Sequence, residues 1–337
     1  MTTIPHTIII AEAGVNHNGS LDTALMMVRE AAAAGADYVK FQTFKAENLV
    51  TATARRASYQ EANCGGSESQ LEMLRRLQLD TGEFAELAKE CRRCGIGFMS
   101  SPFDLESINQ LKVIGQDYWK IPSGEITNLP FLRAIGRLRG RIIMSTGMCE
   151  PDEVEEALQA LEAAGTPRRQ VILLHCNTQY PTPMADVNLL AINDLRRLNP
   201  AAVGYSDHTP GIEVPIAAVA LGAAVIEKHF TLDKSMAGPD HKASLEPDEL
   251  KKMVTAIRHV EQALGNPHKT VSASELPNKT VARKSIVAAR TIAHGELLND
   301  ENLTVKRPGT GLSPMLWDKV TGTPAIRDFM PDELIEI

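Results

Sequence analysis

The sequence has few aromatic residues, few cysteines and no long apolar run. Aromatic residues make up 4% of its 337 residues, and it has five cysteines. An odd number of cysteines in a chain of this size is typical of reduced thiols, so we expect no disulfide framework and a cytoplasmic location. No window approaches the roughly eighteen consecutive apolar residues of a membrane span. The start, MTTIPHTIIIAEAG, lacks the basic and apolar segments of a signal peptide, so none is predicted.

A strong positive charge is also missing. The net charge is −7 and no long basic run occurs, so nucleic-acid binding has no electrostatic support. Cys91 and Cys94 form one CxxC pair, whereas a zinc knuckle needs a second pair. These absences leave a globular protein that is expected to bind neither nucleic acid nor a membrane.

The sequence does contain a regular alternation of short β-rich apolar runs and amphipathic stretches. SLDTALMMVREAAAAG is one such stretch, and it begins with a capping residue and ends on glycine. Alternation of this kind predicts an α/β fold with a parallel sheet, and eight strands predict a (β/α)8 TIM barrel. A doubly wound sheet is the alternative, but EAGVNHNG does not match its GxGxxG turn. The eight predicted strands are TIIIA, DYVKF, GIGFMS, DYWKI, RIIMS, VILLH, AAVGY and AVIEK.

A change in composition and pattern along the sequence predicts two domains joined by a linker. We expect the catalytic barrel over residues 1–265, and a polar linker with two prolines over residues 266–282. Short β-like pieces such as SIVAARTI then predict a small β-rich domain over residues 283–337. A domain this small is marginally stable alone, so it is expected to lean on the barrel or on a partner subunit.

Several charged residues lie at the ends of the predicted strands, where barrels form their active sites. Lys40 and Lys120 lie inside apolar strands, and a buried lysine needs an anionic partner. Together with nearby hydroxyl groups, these lysines predict a cradle for phosphate and carboxylate groups. Glu12, Glu125 and Glu227 would offset the lysines or transfer protons.

Two histidines follow successive predicted strands. His208 follows AAVGYS, and His229 follows AAVIEK, so their side chains can converge if the strands are neighbours. Neutral imidazoles combined with oxygen ligands suit Mn²⁺, Fe²⁺, Co²⁺ or Zn²⁺. The sequence therefore predicts that this pair shares a divalent metal ion, while His17 and His175 are expected to take hydrogen-bonding roles.

Motifs distributed along the chain resemble those of the sialic acid synthase family. They are AEAGVNHNG, VKFQTFKAENL, FMSSPFD, WKIPSGEITN, MSTGM, LHCNTQYPTP, GYSDHTPG, IEKHFTLDKSMAGPDHKASLEP and VARKSIVA. The family includes N-acetylneuraminate synthases and relatives that make legionaminic and pseudaminic acids. The resemblance extends over essentially the whole chain, and the C-terminal part resembles the family's antifreeze-like (SAF) domain.

The resemblance implies a metal-dependent condensation of phosphoenolpyruvate with an N-acetylated amino sugar. We expect N-acetylmannosamine as the sugar, because HCNTQYPTP favours the sialic branch, and N-acetylneuraminate and phosphate as products of C–O cleavage. One alternative is N,N'-diacetyllegionaminate synthesis from 2,4-diacetamido-2,4,6-trideoxymannose, and another is a different metal-dependent barrel aldolase or synthase. Mn²⁺ is the expected metal, with Mg²⁺ or Co²⁺ possible. Ice binding by the small domain is disfavoured, because that domain carries several arginines and lysines.

The resemblance also implies a role for each site residue. His208 and His229 match the metal ligands. Family members can carry asparagine two residues before the tyrosine, whereas this chain has Thr178 there with Asn177 just ahead, and both are expected near phosphoenolpyruvate. The family forms homodimers with exchanged small domains, in which Arg283 would reach the sugar N-acetyl group in the neighbouring barrel. The remaining matches are Lys40, Lys120, Ser123, Ser145 and Ser206 for phosphoenolpyruvate, and Glu12, Gln42, Tyr180 and Asp240 for the sugar.

Overall fold

The computed structural model describes residues 6–57, 60–61, 63 and 68–337. The chain divides into two compact units, Met1–Gly265 and Asn266–Ile337. The segment that was expected to be a linker clusters with the second unit, and it contains a short helix, Leu276–Ala282. Within the described residues, no helix is both long and apolar enough to cross a bilayer.

Eight parallel strands build the first unit. Their hydrogen-bonded order is β3-β2-β1-β8-β7-β6-β5-β4, and the two end strands, β3 and β4, pack beside each other. Because β1 pairs with both β2 and β8, the sheet curves round into a nearly closed barrel and is not doubly wound. The (β/α)8 prediction is confirmed. The strands are β1 (Ile8–Gly14), β2 (Tyr38–Thr43), β3 (Gly97–Pro102), β4 (Tyr118–Ile121), β5 (Arg141–Ser145), β6 (Val171–Cys176), β7 (Ala202–Asp207) and β8 (Val225–His229).

Helices alternate with these strands and begin and end as the capping residues predict. At α1, the Ser20 hydroxyl accepts a hydrogen bond from the Thr23 N–H. Gly35 ends the same helix with a φ of 86°, a left-handed conformation that favours glycine. The helices are α1 (Leu21–Ala34), α2 (Ala46–Leu49), α3 (Gln70–Leu77), α4 (Thr81–Cys94), α5 (Leu105–Ile114), α6 (Leu129–Gly136), α7 (Pro151–Ala164), α8 (Ala191–Arg196), α9 (Glu213–Ala220) and α10 (Pro247–Leu264).

Alternation along each strand divides the side chains between two environments. Residues such as Ile9 and Val39 point outward and join the large core beneath the helices. Inward-pointing residues fill the barrel with a second apolar cluster that includes Ile10, Met99 and Leu174. Two residues further toward the carboxyl end of each strand, the inward-pointing residues are polar. Together they form a layer near the carboxyl ends of the strands, which we call the floor. This floor consists of Glu12, Lys40, Ser101, Lys120, Ser145, Cys176, Ser206 and Glu227.

The second unit is small and β-rich, as predicted. Its strands β9 (Ser285–Ala288) and β10 (Leu303–Lys306) pair antiparallel, and further single bridges join Val287 to Leu334 and Ile292 to Phe329. Its own core includes Ile286, Leu303 and Phe329. Two helices complete the unit, α11 (Leu276–Ala282) and α12 (Trp317–Val320).

Candidate active site

The polar floor of the barrel contains a lysine held between two carboxylates. Lys40 Nζ lies 2.7 Å from Glu12 Oε2 and 3.6 Å from Glu227 Oε1. It also donates a hydrogen bond of 3.1 Å to Ser101 Oγ. Register explains the contact with Glu12, because Glu12 on β1 pairs directly with Lys40 on β2. All three charged side chains are buried, so they interact at short range with little screening by solvent.

Lys120 is the second buried lysine of the floor, and its hydrogen bonds go to neutral oxygens. Its Nζ donates to Ser145 Oγ at 2.6 Å and to the Ile121 carbonyl at 3.1 Å. Burial lowers the pKa of Lys120, although Glu227 partly opposes this effect. A buried ammonium group without a close carboxylate partner is poised to bind an anion, because the anion would offset the cost of its desolvation.

The two buried glutamates differ in their protonation behaviour. Burial raises the pKa of Glu12 to about 7, although Lys40 partly opposes the shift. Burial would also raise the pKa of Glu227, but the nearby Lys120 and Lys40 ammonium groups outweigh it and hold that pKa below its ordinary value. Near neutral pH, Glu12 can therefore carry a proton while Glu227 stays ionised.

Ser123 and Gly147 bring hydroxyl and backbone groups to the edge of this floor. Gly147 N–H donates a hydrogen bond of 2.9 Å to Ser123 Oγ, which lies 3.4 Å from Cys176 Sγ. A Cβ atom at position 147 would come within 2.6 Å of Thr178 Cγ2, so this close approach requires glycine. The loops after β4, β5 and β6 thereby converge on one side of the cavity.

His208 and His229 converge as predicted, with ring centroids 5.3 Å apart. The ring of Tyr180 lies against both, at 4.1 Å from His208 and 5.6 Å from His229. His208 Nδ1 donates to the Asn177 carbonyl at 2.5 Å, which leaves Nε2 as the nitrogen with a free lone pair. Burial lowers the pKa of both histidines, to about 4 for His208, so both rings are neutral at pH 7.

The histidine pair fits an open metal site. His229 Nδ1 is buried without a hydrogen-bond partner, and Asp240 Oδ2 lies 4.0 Å away from it. An orphaned buried nitrogen beside a second neutral imidazole is the donor set that divalent transition metals prefer. Across the part of the chain that the structure describes, no group of three or more His, Cys, Asp or Glu side chains forms a metal cage. An ion held here would therefore take further ligands from substrate or water.

His17, His175 and His241 have hydrogen-bonding positions instead. His17 Nδ1 accepts from the Gly19 N–H at 3.0 Å, and His175 Nε2 donates to the Val187 carbonyl at 2.8 Å. His241 Nδ1 shares a 2.7 Å hydrogen bond with Thr231 Oγ1. The expectation for His17 and His175 agrees with these contacts.

We expect His17 to make the fold sensitive to acid. Burial lowers its pKa from 6.5 to about 4, so between these values the unfolded chain binds a proton that the folded chain does not. Stability should therefore fall as the pH drops through this window, by on the order of 2 kcal/mol at pH 5 for this histidine. Urea unfolding at pH 8 and pH 5 measures the loss. His17→Asn should reduce the loss, whereas the exposed control His259→Asn should not; equal losses in both variants would contradict the prediction.

A cavity of about 480 Å³ opens above the floor and brings most of the predicted residues together. Two predicted residues of the barrel, Glu125 and Asn177, do not line it. Glu125 Oε2 accepts a 2.6 Å hydrogen bond from Asn128, and Asn177 Oδ1 accepts from the Gln179 N–H. Arg283 is an exposed residue of the second unit. The predicted residues that line the cavity are Glu12, Lys40, Gln42, Lys120, Ser123, Ser145, Thr178, Tyr180, Ser206, His208, Glu227, His229 and Asp240.

Several lining residues were not anticipated from the sequence, including Gln60 and Gln70. Cys176 is another; its inward position could have been read from its two-residue spacing after Leu174 on β6. A larger set forms an apolar wall contributed mainly by the segment between β2 and α4. The wall consists of Phe44, Leu49, Val50, Met73, Leu74 and Phe103. No local pattern marked these residues as part of a site, because apolar side chains on helices also predict an ordinary core.

Lys228 and Asp207 also end adjacent strands, but they face away from the cavity. Lys228 Nζ lies 2.5 Å from Asp207 Oδ2 and also donates to the Thr209 carbonyl. Both side chains of this ion pair are completely buried. Each of these two residues is next to an inward-facing residue of its own strand. Because successive side chains of a strand point to opposite faces, the pair lies on the outer side of the barrel.

Buried lysines and paired imidazoles at the carboxyl ends of barrel strands define a (β/α)8 barrel enzyme. Comparison with known families agrees with this class and names the family. The NeuB family matches residues 27–269, and the SAF domain matches residues 283–336. The protein belongs to the NeuB family, and its small C-terminal unit is a SAF domain.

Known relatives are similar along nearly the whole chain. N,N'-diacetyllegionaminic acid synthase of Campylobacter jejuni is 51% identical, over 98% of this chain and 98% of that protein. A Legionella pneumophila protein of the same name is 45% identical, over 94% of this chain and 89% of that protein. The crystal structure of the N-acetylneuraminic acid (sialic acid) synthetase of Leptospira borgpetersenii in complex with citrate has a TM-score of 0.71 at 36% identity, over 82% of this chain and 90% of that one. The resemblance to sialic acid synthases is confirmed.

Proposed function

We propose that the protein condenses phosphoenolpyruvate with 2,4-diacetamido-2,4,6-trideoxymannose to give N,N'-diacetyllegionaminate and phosphate. The observation that carries the proposal is the floor of two buried lysines directly beneath a pair of neutral histidines. The choice of sugar follows the names of the two relatives at 51% and 45% identity. It replaces N-acetylmannosamine, our first expectation, with the sugar that the sequence analysis held as an alternative.

Phosphoenolpyruvate binds in this proposal through its two anionic groups. Lys120 and Lys40 are the ammonium groups within the cavity floor, and the hydroxyls of Ser123, Ser145 and Ser206 surround them. Lys120 lacks a close carboxylate, so it gains more from an incoming phosphate or carboxylate than Lys40, which already contacts Glu12. A charge-assisted contact of this kind is stronger than a hydrogen bond between neutral groups.

The reaction proceeds by carbon–carbon bond formation followed by loss of phosphate. C3 of the enol attacks the sugar aldehyde carbon, and positive character develops at C2. Water adds at C2, and the tetrahedral intermediate expels phosphate by breaking the C–O bond. Glu12, which can hold a proton near neutral pH, donates it to the new alkoxide, and Glu227 accepts a proton from the attacking water. The lysines stabilise the charge on the departing phosphate.

The proposed function includes a divalent metal ion held by His208 and His229. Mn²⁺ is the first candidate, and Mg²⁺ or Co²⁺ are alternatives. When bound, such an ion supplies Lewis-acid polarisation of the sugar aldehyde. We also propose, from the family resemblance alone, that the protein forms a homodimer with exchanged SAF domains. In this dimer, Arg283 would contact the N-acetyl group of the sugar in the neighbouring barrel.

In the direct test, the protein is incubated with phosphoenolpyruvate, Mn²⁺ and each of the two sugars in turn. The expected products are N,N'-diacetyllegionaminate, identified by mass spectrometry, and one phosphate per sugar. Phosphoenolpyruvate labelled with ¹⁸O at the bridging position should release labelled phosphate, because the C–O bond breaks. Unlabelled phosphate, or a product without phosphate release, would favour another barrel aldolase or synthase.

We expect Lys120→Ala to weaken phosphoenolpyruvate binding more than sugar binding. Loss of one charge-assisted contact costs about 1.5–3 kcal/mol, which is roughly tenfold to a hundredfold in KM for phosphoenolpyruvate. Steady-state kinetics with each substrate varied in turn measure both constants. Lys112→Ala, at an exposed position on α5, is the control and should change neither. If only the KM for the sugar rises, Lys120 contacts the sugar and not phosphoenolpyruvate, and the prediction is wrong.

A further inference from the structure

We propose that the apolar wall of the cavity selects the sugar by contacting its C4 and C6 substituents. The inference rests on the proposed function, because it concerns the second substrate of that same reaction. It assigns a role to the wall residues between β2 and α4, which the mechanism does not use. Leu49, Val50 and Phe103 are the part-exposed members of this wall, and all three line the cavity; Leu49 and Val50 are the two that follow β2.

The wall is more than the packing surface of α2 and α3. Met73 and Leu77 are about 1% exposed and form the interior of that apolar cluster. Leu49 and Val50 only pack against it from the side, so part of their apolar surface remains open to the cavity. Apolar surface that the fold leaves open in a ligand cavity is available to bury apolar parts of a ligand.

The chemistry of the reaction determines which part of the sugar reaches this wall. Phosphoenolpyruvate must lie on the floor, because Lys40 and Lys120 are there. The sugar aldehyde carbon, C1, must contact C3 of phosphoenolpyruvate, so the rest of the sugar chain leads away from the floor. The C4 and C6 groups are then farthest from the lysines, at the level of the segments that follow the strands. Leu49 and Val50 belong to such a segment, directly after β2.

The two candidate sugars differ at these positions. The trideoxy sugar has an acetamido group at C4 and a methyl group at C6, whereas N-acetylmannosamine has a hydroxyl and a hydroxymethyl group. The side chains of the wall gain by burying the two methyl groups and offer no hydrogen-bond partner of their own for the two hydroxyls, whereas Gln60 and Gln70 also line the cavity. Apolar pockets discriminate roughly tenfold to a hundredfold between such alternatives, which is enough to set a preference without excluding the second sugar.

The test makes the part-exposed apolar surface of the wall polar while changing the size of the side chains as little as possible. Val50→Thr substitutes a hydroxyl for a methyl group at almost constant volume, and Leu49→Asn introduces a polar group at a part-exposed position. Leu105→Asn, at an exposed leucine on α5 outside the cavity lining, is the matched control. For each protein, kcat/KM is measured with both sugars at saturating phosphoenolpyruvate and Mn²⁺. KM for phosphoenolpyruvate and the melting temperature are measured alongside.

The double variant L49N/V50T should reduce the preference for the diacetamido sugar about tenfold or more, with KM for phosphoenolpyruvate unchanged. Its melting temperature should fall only slightly, because both side chains pack at the edge of the apolar cluster. L105N should keep the wild-type preference. An unchanged preference in a folded double variant, or equal losses with both sugars, would overturn the role of the wall while the proposed function stands. The wild-type preference tests the proposed function separately: if the wild type favours N-acetylmannosamine, the proposed sugar is wrong and the inference falls with it.

Discussion

His229→Ala should abolish condensation while the barrel remains folded. The imidazole is buried, its Nδ1 has no hydrogen-bond partner, and its ring lies 5.3 Å from that of His208. Removing an unpartnered buried nitrogen should cost the fold little, whereas it removes half of the donor set proposed for the metal. Turnover should fall to background after EDTA treatment and Mn²⁺ addition, and bound metal per chain should fall with it.

His208→Ala should have the same effect on turnover. It also removes the hydrogen bond to the Asn177 carbonyl, so a small loss of stability is expected in addition. His259→Ala, at an exposed position on α10, is the control and should retain metal and activity. Metal content and turnover equal to wild type in either site variant would show that the pair holds no essential ion.

Lys228→Met should destabilise the barrel by about 3–5 kcal/mol. Asp207 is completely buried, and the substitution leaves its carboxylate without the ammonium group 2.5 Å away. A loss of this size corresponds to a fall in melting temperature of roughly 10 °C for a domain of this length. Calorimetry or urea unfolding of the full-length protein, which includes the SAF domain, measures this loss of stability.

The control for Lys228 is another lysine in an ion pair. Lys234 pairs with Glu249, but both side chains are about a third exposed. Lys234→Met should therefore cost no more than about 1 kcal/mol. The double variant Asp207→Asn with Lys228→Met should recover part of the stability lost in the single variant, because it leaves no buried unpaired charge. Equal losses for Lys228→Met and Lys234→Met would contradict the prediction.

Local patterns predicted the secondary structure of the barrel closely. All eight predicted strands occur within three residues of their expected limits, because each is an apolar run between clear turn signals. The limits of α1 followed from Ser20 and Gly35, which act on their own backbone neighbourhood. The convergence of His208 and His229 was also predictable, since the ends of consecutive parallel strands meet at one edge.

Local patterns did not indicate where a loop side chain points. Glu125 follows β4 in sequence, yet it bonds Asn128 within its own turn and does not line the cavity. Asn177 likewise uses its side chain inside its loop, where it accepts from Gln179, and supplies only its carbonyl to His208. In both cases a short-range hydrogen bond determines the direction of the side chain.

The sequence by itself determined the class of fold, the order of strands and helices, and most of the charged residues of the floor. These follow from local periodicity and from the family motifs. Only the tertiary structure decided which face each strand residue occupies and which distant groups meet. Lys228 and Lys40 are both lysines within apolar strands, but one pairs with Asp207 outside the barrel and the other with Glu12 inside it. The physical reason is that a shift of one residue along a strand reverses the face, and only closure of the barrel makes one of those faces the site.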